Sequence, residues 1–276
     1  MSLSHFLISG TAVLMAMAAP ASAAGGPKKT VVLVHGAFAD GSSWSKVIPL
    51  LEAKGLNVVA VQNPLSSLAA DVDATRRVID AQPGPVILVG HSWGGVVISQ
   101  AGVDDKVKAL VYVAAFAPPK GLSVNDLGKG RQPPLPWASA LQPDSGGYVR
   151  LSAEGVAKYF AQDLPPQEIS LIAATQGPPF AGIFDEKLAA AAYESKPSFY
   201  IVASQDGMIP PVAEAAMAKA IGAEVTELAT SHVPMLSKPR EVADVILAAA
   251  DSVKYDRVRQ IRHPSSNTIS RIHGHA

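Results

Sequence analysis

Short, continuously apolar runs alternate along most of this chain with longer segments in which apolar residues recur every three or four positions. Residues 31–34 (VVLV) and 86–89 (VILV) contain no polar residue, which is typical of strands buried on both faces of a parallel sheet. The segments between such runs have the periodicity of helices with one buried face. The pattern predicts strands over residues 30–35, 57–62, 85–90, 107–115, 198–204 and 223–229, and helices over residues 43–54, 67–82, 94–102, 211–221 and 239–250.

This alternation of strands and helices determines the expected architecture. Parallel neighbours in a sheet need long crossover connections, which are usually helical and almost always right-handed. The chain is therefore predicted to form an α/β fold, with a mostly parallel sheet flanked by helices. Residues 24–116 and 197–250 make up this core, and no internal repeat is visible.

The segment 117–196 interrupts the regular pattern and is rich in proline. Its ten prolines favour short helices and loops over long periodic elements. We expect this segment to form a cap insertion over the carboxyl edge of the sheet, where α/β folds build their sites. Some of its large apolar residues should pack the cap and a few should line a pocket; they are Trp137, Tyr148, Tyr159, Phe160, Leu171, Phe180 and Phe184.

Both ends of the chain differ in composition from the core. Residues 1–27 contain no Lys, Arg, Asp or Glu, and an apolar stretch there precedes Ala21-Ser22-Ala23, which matches a signal-peptidase site. We expect residues 1–23 to be a signal peptide cleaved near Ala23, although its first residues lack the usual Lys or Arg. The mature protein would then be periplasmic or secreted, with no stable membrane insertion. Residues 251–276 are basic and poor in apolar residues, so we expect a disordered tail.

The overall charge and the lack of cysteine narrow the function classes. The formal net charge is +0, which leaves no basic surface of the kind that binds nucleic acid. No metal-ligand spacing is present in the body of the chain, and we expect neither a metal nor a cofactor. With no cysteine, stability must come from packing rather than disulfides.

A candidate nucleophile, Ser92, lies in the sequence GHSWGG over residues 90–95. It follows a buried strand and precedes a helical segment, and glycines flank it where a sharp turn leaves no space for side chains. A strand, turn and helix of this kind present a serine hydroxyl beside a helix N-terminus, which favours developing negative charge. The pattern therefore predicts nucleophilic catalysis by Ser92.

A serine nucleophile needs a base and an acid that orients the base, and both follow Ser92 in the expected order. His232 is the one histidine downstream of Ser92 that lies outside the basic tail, and it occupies a loop after a strand. Asp206 lies in the loop at the carboxyl end of the strand predicted over 198–204. Asp163 and Asp185 fall in the insertion and are weaker candidates for the acid.

The loop after the first strand provides a candidate oxyanion hole. His35-Gly36-Ala37-Phe38 follows that strand, and the backbone N–H groups of Ala37 and Trp93 are predicted to face the developing oxyanion. Phe38 is a less favoured donor and a candidate contact for the substrate.

Three motifs together resemble those of the α/β-hydrolases of the plant methylesterase and hydroxynitrile lyase group, and more closely its bacterial esterase relatives. They are residues 33–38 (LVHGAF), 90–95 (GHSWGG) and 231–239 (SHVPMLSKP), within a resemblance that covers residues 28–250. It implies an α/β-hydrolase fold with a cap, a triad of Ser92, Asp206 and His232, no cofactor, and small ester or cyanohydrin substrates.

The resemblance leaves three functions open. A serine carboxylesterase that cleaves esters of small to medium size through an acyl-enzyme is favoured over a lyase. Hydroxynitrile lyases of this group carry a lysine directly after the catalytic histidine and a threonine in the oxyanion loop. This chain has Val233 at the position of the lysine and, approximately, Ala37 at the position of the threonine. A non-catalytic receptor for a small ligand is the third reading, and turnover of a simple ester would distinguish it.

Overall fold

Six parallel strands form the central sheet of the protein, in a computed structural model that describes residues 27–130 and 133–253. The signal peptide expected over residues 1–23 and nearly all of the expected tail lie outside these ranges. Its strands are β1 (Thr30–Val34), β2 (Asn57–Val61), β3 (Val86–His91), β4 (Val107–Val113), β7 (Ser198–Ala203) and β8 (Glu224–Leu228). Their order across the sheet is β2-β1-β3-β4-β7-β8.

The burial of each strand follows from its position in the sheet. The apolar strands β1, β3 and β7 are buried throughout their length and lie inside the sheet. The edge strands β2 and β8 carry the more polar sequences NVVAV and EVTEL and are partly exposed. Strand β4 ends at Val113 rather than 115 because Ala114 turns the chain with a φ of 44°.

Helices cover both faces of the sheet in the five regions predicted from periodicity, and one further short helix, Pro234–Ser237, lies in the segment predicted to be the loop that carries His232. They are α1 (Ile48–Glu52), α2 (Leu68–Asp80), α3 (Gly94–Ala101), α7 (Pro211–Ala220), α8 (Pro234–Ser237) and α9 (Pro239–Ser252). The single helix predicted over 43–54 is wrong: a 3₁₀ turn at Gly41–Trp44 precedes the short α1. Pro49 has no N–H and is tolerated only in the first turn of a helix, so α1 starts beside it.

The end of the last helix also differs from the prediction. Helix α9 continues to Ser252, two residues into the segment expected to be a disordered tail. Its apolar side chains, including Ile246, Ala249 and Ala250, are buried against the core, which stabilises the last turn.

The proline-rich insertion forms short elements over the carboxyl edge of the sheet. The Trp137 indole donates to the Met208 carbonyl after β7 at 2.7 Å, and Phe38 N donates to the Gly177 carbonyl at 3.1 Å. These contacts connect the insertion to the loops that follow β7 and β1. Its regular elements are α4 (Val124–Leu127), the antiparallel pair β5 (Leu141–Pro143) and β6 (Val149–Leu151), α5 (Ala153–Gly155), which continues as a π-helical turn to Phe160, and α6 (Pro166–Thr175).

No helix within the two described ranges is both long enough and apolar enough to cross a membrane.

Candidate active site

Ser92 occupies a strained turn between β3 and α3. Its φ is 52°, in a left-handed region that a non-glycine residue adopts only when its surroundings impose it. A Cβ on Gly90 would lie 2.5 Å from the Gly94 carbonyl oxygen, and a Cβ on Gly94 would lie 2.5 Å from that of Val34. Only glycine fits at these two positions, and these glycines allow the start of α3 to approach both β3 and β1 around Ser92.

Ser92, His232 and Asp206 form a continuous hydrogen-bonded chain. The Nε2 of His232 lies 2.8 Å from the Ser92 Oγ, and its Nδ1 lies 2.5 Å from Oδ2 of Asp206. Residues 140 positions apart thus meet at the carboxyl ends of β3, β7 and β8. The imidazole is almost fully buried, and 6% of Ser92 remains exposed. The structure brings together the three residues singled out from the sequence, in the geometry of a nucleophile, a base and an orienting acid.

Asp206 is held by its own loop as well as by the imidazole. Its Oδ1 accepts hydrogen bonds from the backbone N–H groups of Met208 at 2.6 Å and Ile209 at 2.9 Å. These two donors leave Oδ2 free to face the Nδ1–H of His232. The arrangement fixes both the rotamer of the acid and the tautomer of the base.

The loop after β1 lies directly against Ser92. A Cβ on Gly36 would lie 2.6 Å from the Ser92 Cβ, so this close approach requires glycine. Within the described residues, the N–H groups of Ala37 and Trp93 have no protein acceptor. Phe38 N–H donates to Gly177 instead, which removes Phe38 as an oxyanion donor. Its side chain lines the cavity above Ser92, where the substrate contact was expected.

Three groups hold the loop that carries His232. The Asp163 carboxylate in the insertion accepts a hydrogen bond from Ser231 N at 2.8 Å. The His91 Nε2 lies 2.8 Å from the His232 carbonyl, which can only accept, so Nε2 carries the proton. Burial lowers the pKa of His91 well below its usual value, and the neighbouring His232 lowers it further, so His91 stays neutral. The Phe160 ring packs edge-on against the His232 ring, with 5.1 Å between the centroids.

Asp71, on α2, anchors the side chain of Trp93. Its Oδ2 accepts a hydrogen bond from the Trp93 indole at 2.8 Å, and its Oδ1 accepts one from Leu65 N at 2.7 Å. The carboxyl group is fully buried, and this burial raises the pKa of Asp71 to about 6 despite the two donors. Because the amide of Trp93 is a candidate oxyanion donor, Asp71 indirectly fixes one side of the site.

A largely apolar cavity of about 550 Å³ opens above Ser92 and His232. Of the insertion residues singled out from the sequence, Trp137 and Phe184 line it, whereas Phe160 packs beneath it against His232. Lys129 is the one described lining residue with a permanent charge, and it pairs with Asp126 at 2.5 Å. The other side chains of the wall are mostly aliphatic, among them Val124, Leu127, Leu135, Met208, Ile209, Ala213, Ala216 and Met217.

The sequence does not indicate the role of several residues of the site. Asp163, a weaker candidate for the acid, binds the backbone next to His232 instead. The other rival, Asp185, accepts a hydrogen bond from Asn125 within the insertion at 2.8 Å. Asp71 and Glu214 occur in ordinary first turns of helices, where acidic residues are common, and no local signal indicates that they are buried. Among the described residues, no cluster of His, Asp and Glu could hold a metal ion.

Comparison with known proteins identifies the family of this chain. Residues 31–245 match the profile of the "Alpha/beta hydrolase family". "Methylesterase 2" of Arabidopsis thaliana is 31% identical over 259 residues, covering 82% of this chain and 97% of that protein. A "Pyrethroid hydrolase" of Sphingobium wenxiniae is 29% identical over 250 residues, covering 80% and 88% of the two chains.

Solved structures show the same fold. The pyrethroid hydrolase from Sphingobium faniae JZ-2 aligns with a TM-score of 0.68 at 26% identity and covers 81% of this chain and 98% of its own. Polyneuridine aldehyde esterase aligns with a TM-score of 0.70 at 23% identity, covers 81% and 100% of the two chains, and supports the fold alone. The parallel sheet flanked by helices, predicted from alternating patterns, is thereby confirmed as an α/β-hydrolase fold. The chain belongs to the α/β-hydrolase family and is a relative of plant methylesterases and of pyrethroid hydrolase.

Proposed function

We propose that this protein is a serine carboxylesterase that hydrolyses neutral, apolar esters through an acyl-enzyme on Ser92. The observation that carries the proposal is the hydrogen-bonded chain from Ser92 through His232 to Asp206 at the base of an apolar cavity. Relatives named as esterases and hydrolases support the same class of reaction.

In the acylation step, Ser92 Oγ attacks the ester carbonyl carbon while His232 Nε2 takes the hydroxyl proton. Asp206 stabilises the imidazolium and keeps Nδ1 protonated. The tetrahedral oxyanion accepts hydrogen bonds from Ala37 N and Trp93 N, and losing one such donor typically costs about 3 kcal/mol. The imidazolium then protonates the leaving alkoxide, the carbon–oxygen bond breaks, and the alcohol departs.

Deacylation repeats these roles with water as the nucleophile. His232 Nε2 removes a proton from the water, and the resulting hydroxide attacks the acyl carbon. The same two N–H groups stabilise the second oxyanion. Collapse of this intermediate returns the proton from His232 to Ser92 Oγ and releases the carboxylic acid.

The cavity wall supports a substrate without a free charge. A volume of about 550 Å³ lies in the range that accommodates a ligand of drug-like size. Its described wall offers mainly apolar contacts, and Lys129 is already paired with Asp126 at the mouth. We therefore place the substrates among bulky, uncharged esters, the class to which the name of the pyrethroid hydrolase relative also points.

A lyase function has weaker support than hydrolysis. Val233, next to His232, is apolar and buried, and it cannot stabilise a departing cyanide by charge. We therefore expect mandelonitrile to be cleaved no faster than in buffer.

The test is hydrolysis of p-nitrophenyl acetate, p-nitrophenyl butyrate and a bulky aryl ester by the purified protein. Ser92→Ala and His232→Ala should each lower kcat by about 10³-fold or more, and the double variant should be little worse than either, because the residues act as a unit. Val103→Ala, at an exposed position beyond α3, is the matched control and should keep normal turnover.

Two results would contradict the proposal. Normal ester turnover by folded Ser92→Ala would show that Ser92 is not the nucleophile. Absence of turnover across the ester panel, together with fast cyanide release that depends on Ser92, would favour the lyase.

A further inference from the structure

A second carboxyl group, that of Glu214, lies behind the acid of the proposed triad. Glu214 is in the first turn of α7 and has no solvent exposure. Ala203 connects the two acids, because its N–H binds the Glu214 carboxyl group at 3.1 Å and its carbonyl accepts the Asp206 backbone N–H at 3.1 Å. The two carboxyl groups are within hydrogen-bonding reach of each other. The proposed hydrolysis does not use Glu214, and a buried acid in this place requires an explanation.

The hydrogen-bond donors around the two acids are unequally distributed. Asp206 receives three: the backbone N–H groups of Met208 and Ile209, and Nδ1 of His232. Glu214 receives one, from Ala203 N to its Oε2 at 3.1 Å, and its Oε1 has no donor among the described residues. Two adjacent buried carboxyl groups do not both ionise readily, and the one with fewer donors keeps the proton.

The electrostatic surroundings also indicate that Glu214, rather than Asp206, keeps the proton. Burial raises the pKa of Glu214 far above its usual range, and the negative charge of Asp206 raises it further. Besides His232, which binds Asp206, the Tyr200 phenol on β7 lies near this pair, and burial raises its pKa. Its hydroxyl donates to the Ala115 carbonyl and is therefore not a donor to Glu214.

We propose that Glu214 is a positioning residue, whose neutral carboxylic acid donates its Oε1–H to the Asp206 carboxylate and orients that carboxylate toward His232. The inference rests on the proposed function, because it assigns Asp206 to the triad. The O–H bond satisfies the otherwise unpaired Oε1. It also leaves a single negative charge, that of Asp206, to act on the imidazole.

Two variants separate this role from a purely structural one. Glu214→Gln retains an oxygen for Ala203 N–H and an N–H donor for Asp206, and it matches the neutral acid in charge. It should keep kcat and KM within about twofold of the wild-type values. When kcat/KM is measured as a function of pH, the midpoint of its rise on the acidic side should be unchanged. Glu214→Met has similar length but no donor, and it should lower kcat of the folded enzyme about 10-fold with KM nearly unchanged.

Opposite results would overturn the proposal. If Glu214 were ionised, Glu214→Gln would remove a negative charge near His232 and move that midpoint down by about one pH unit. Wild-type kcat in folded Glu214→Met would show that the donor is dispensable. If Glu214→Met does not fold, the dependence of kcat/KM on pH in Glu214→Gln is sufficient to test the proposal.

An infrared difference spectrum provides a readout that does not depend on activity. At about pH 8, where an acid with an ordinary pKa is ionised, the wild-type protein should show the C=O band of a neutral carboxylic acid that Glu214→Gln lacks. If no ester is turned over but this band is present, the proposed function fails and the assignment of a neutral Glu214 stands. If esters are turned over and the band is absent, the inference about Glu214 fails by itself.

Discussion

The individual buried acids around this site receive different numbers of hydrogen-bond donors. Asp206 accepts three hydrogen bonds, Asp71 accepts two, and Glu214 accepts one from the backbone. Donors stabilise the ionised form of an acid and burial opposes it. Burial outweighs the two donors of Asp71 and raises its pKa to about 6, whereas burial and the charge of Asp206 together raise the pKa of Glu214 much further.

Asp71 makes the stability of the fold depend on pH. In the folded protein its pKa is about 6, compared with 3.8 in an unfolded chain, so the folded state binds more protons between these values. Its contribution to the free energy of unfolding is therefore largest below about pH 4 and falls by about 3 kcal/mol as the pH rises past 6. The Asp71→Asn side chain cannot titrate, so this variant lacks the fall in unfolding free energy with rising pH that Asp71 causes.

Urea unfolding at about pH 4 and about pH 7 measures this contribution. The difference in unfolding free energy, wild type minus Asp71→Asn, should shrink by about 2 kcal/mol between the two pH values, because part of the full effect lies below pH 4 and other groups cancel. Asp71→Asn should also slow ester hydrolysis, because an amide sets an N–H against Trp93 or Leu65. Unfolding curves that differ equally at both pH values would contradict the assignment.

At the scale of elements, the site depends on how closely β3, α3 and the loop after β1 approach one another. Gly36, Gly90 and Gly94 lie where these elements touch, and each would place a Cβ within 2.6 Å of a neighbouring atom. The insertion also holds the loops of the site in place, because Asp163 binds the loop that carries His232 and Gly177 binds the loop that carries Phe38.

Substituting the glycines of the turn should impair activity more than folding. Gly90→Ala pushes a methyl group against backbone that cannot move aside, and such overpacking costs about 1–3 kcal/mol of stability. The displacement shifts Ser92, so kcat should fall by about 10²-fold, consistent with the cost of a small misplacement. Gly146→Ala, in the exposed turn between β5 and β6, is the control and should keep both stability and kcat. Normal kcat in Gly90→Ala would show that the tight contact is not required.

At the scale of the whole molecule, the core holds Ser92, His232 and Asp206 in place, while the insertion and α7 shape the space above them. The cavity is bounded by residues far apart in the chain, from Phe38 after β1 to Met217 on α7. Substrate size is therefore a property of how the insertion packs on the core, whereas the chemistry belongs to the loops at the ends of the strands.

Narrowing the cavity should change specificity without changing the chemistry. Ala216 on α7 lines the exposed rim of the cavity, whereas its neighbour Ala215, which is also exposed, does not line it. Ala216→Trp should lower kcat/KM for the bulky aryl ester about 10-fold or more and leave p-nitrophenyl acetate within about twofold. Ala215→Trp is the matched control and should match wild type on both esters. Equal loss on both esters by Ala216→Trp would mean that this wall does not select by size.

The sequence by itself determined the order of strands and helices and three residues of the candidate site. Continuous apolar runs predicted β1, β3 and β7, because only strands covered on both faces can be apolar throughout. Ser92, Asp206 and His232 could be chosen because each lies after a strand end, and parallel strands end at one edge. Pro49 marks the start of α1, but the apolar periodicity continues across it and therefore favours a single longer helix.

Only the tertiary structure decided which other residues serve the site. Asp71, Asp163 and Glu214 resemble ordinary surface acids in the sequence, because burial depends on what packs against a helix or loop from distant parts of the chain. The lining of the cavity could not be predicted for the same reason: the insertion has no periodicity to indicate which side faces the core. Side chains acquire an environment, and with it a charge state and a role, only when segments far apart in sequence are brought together.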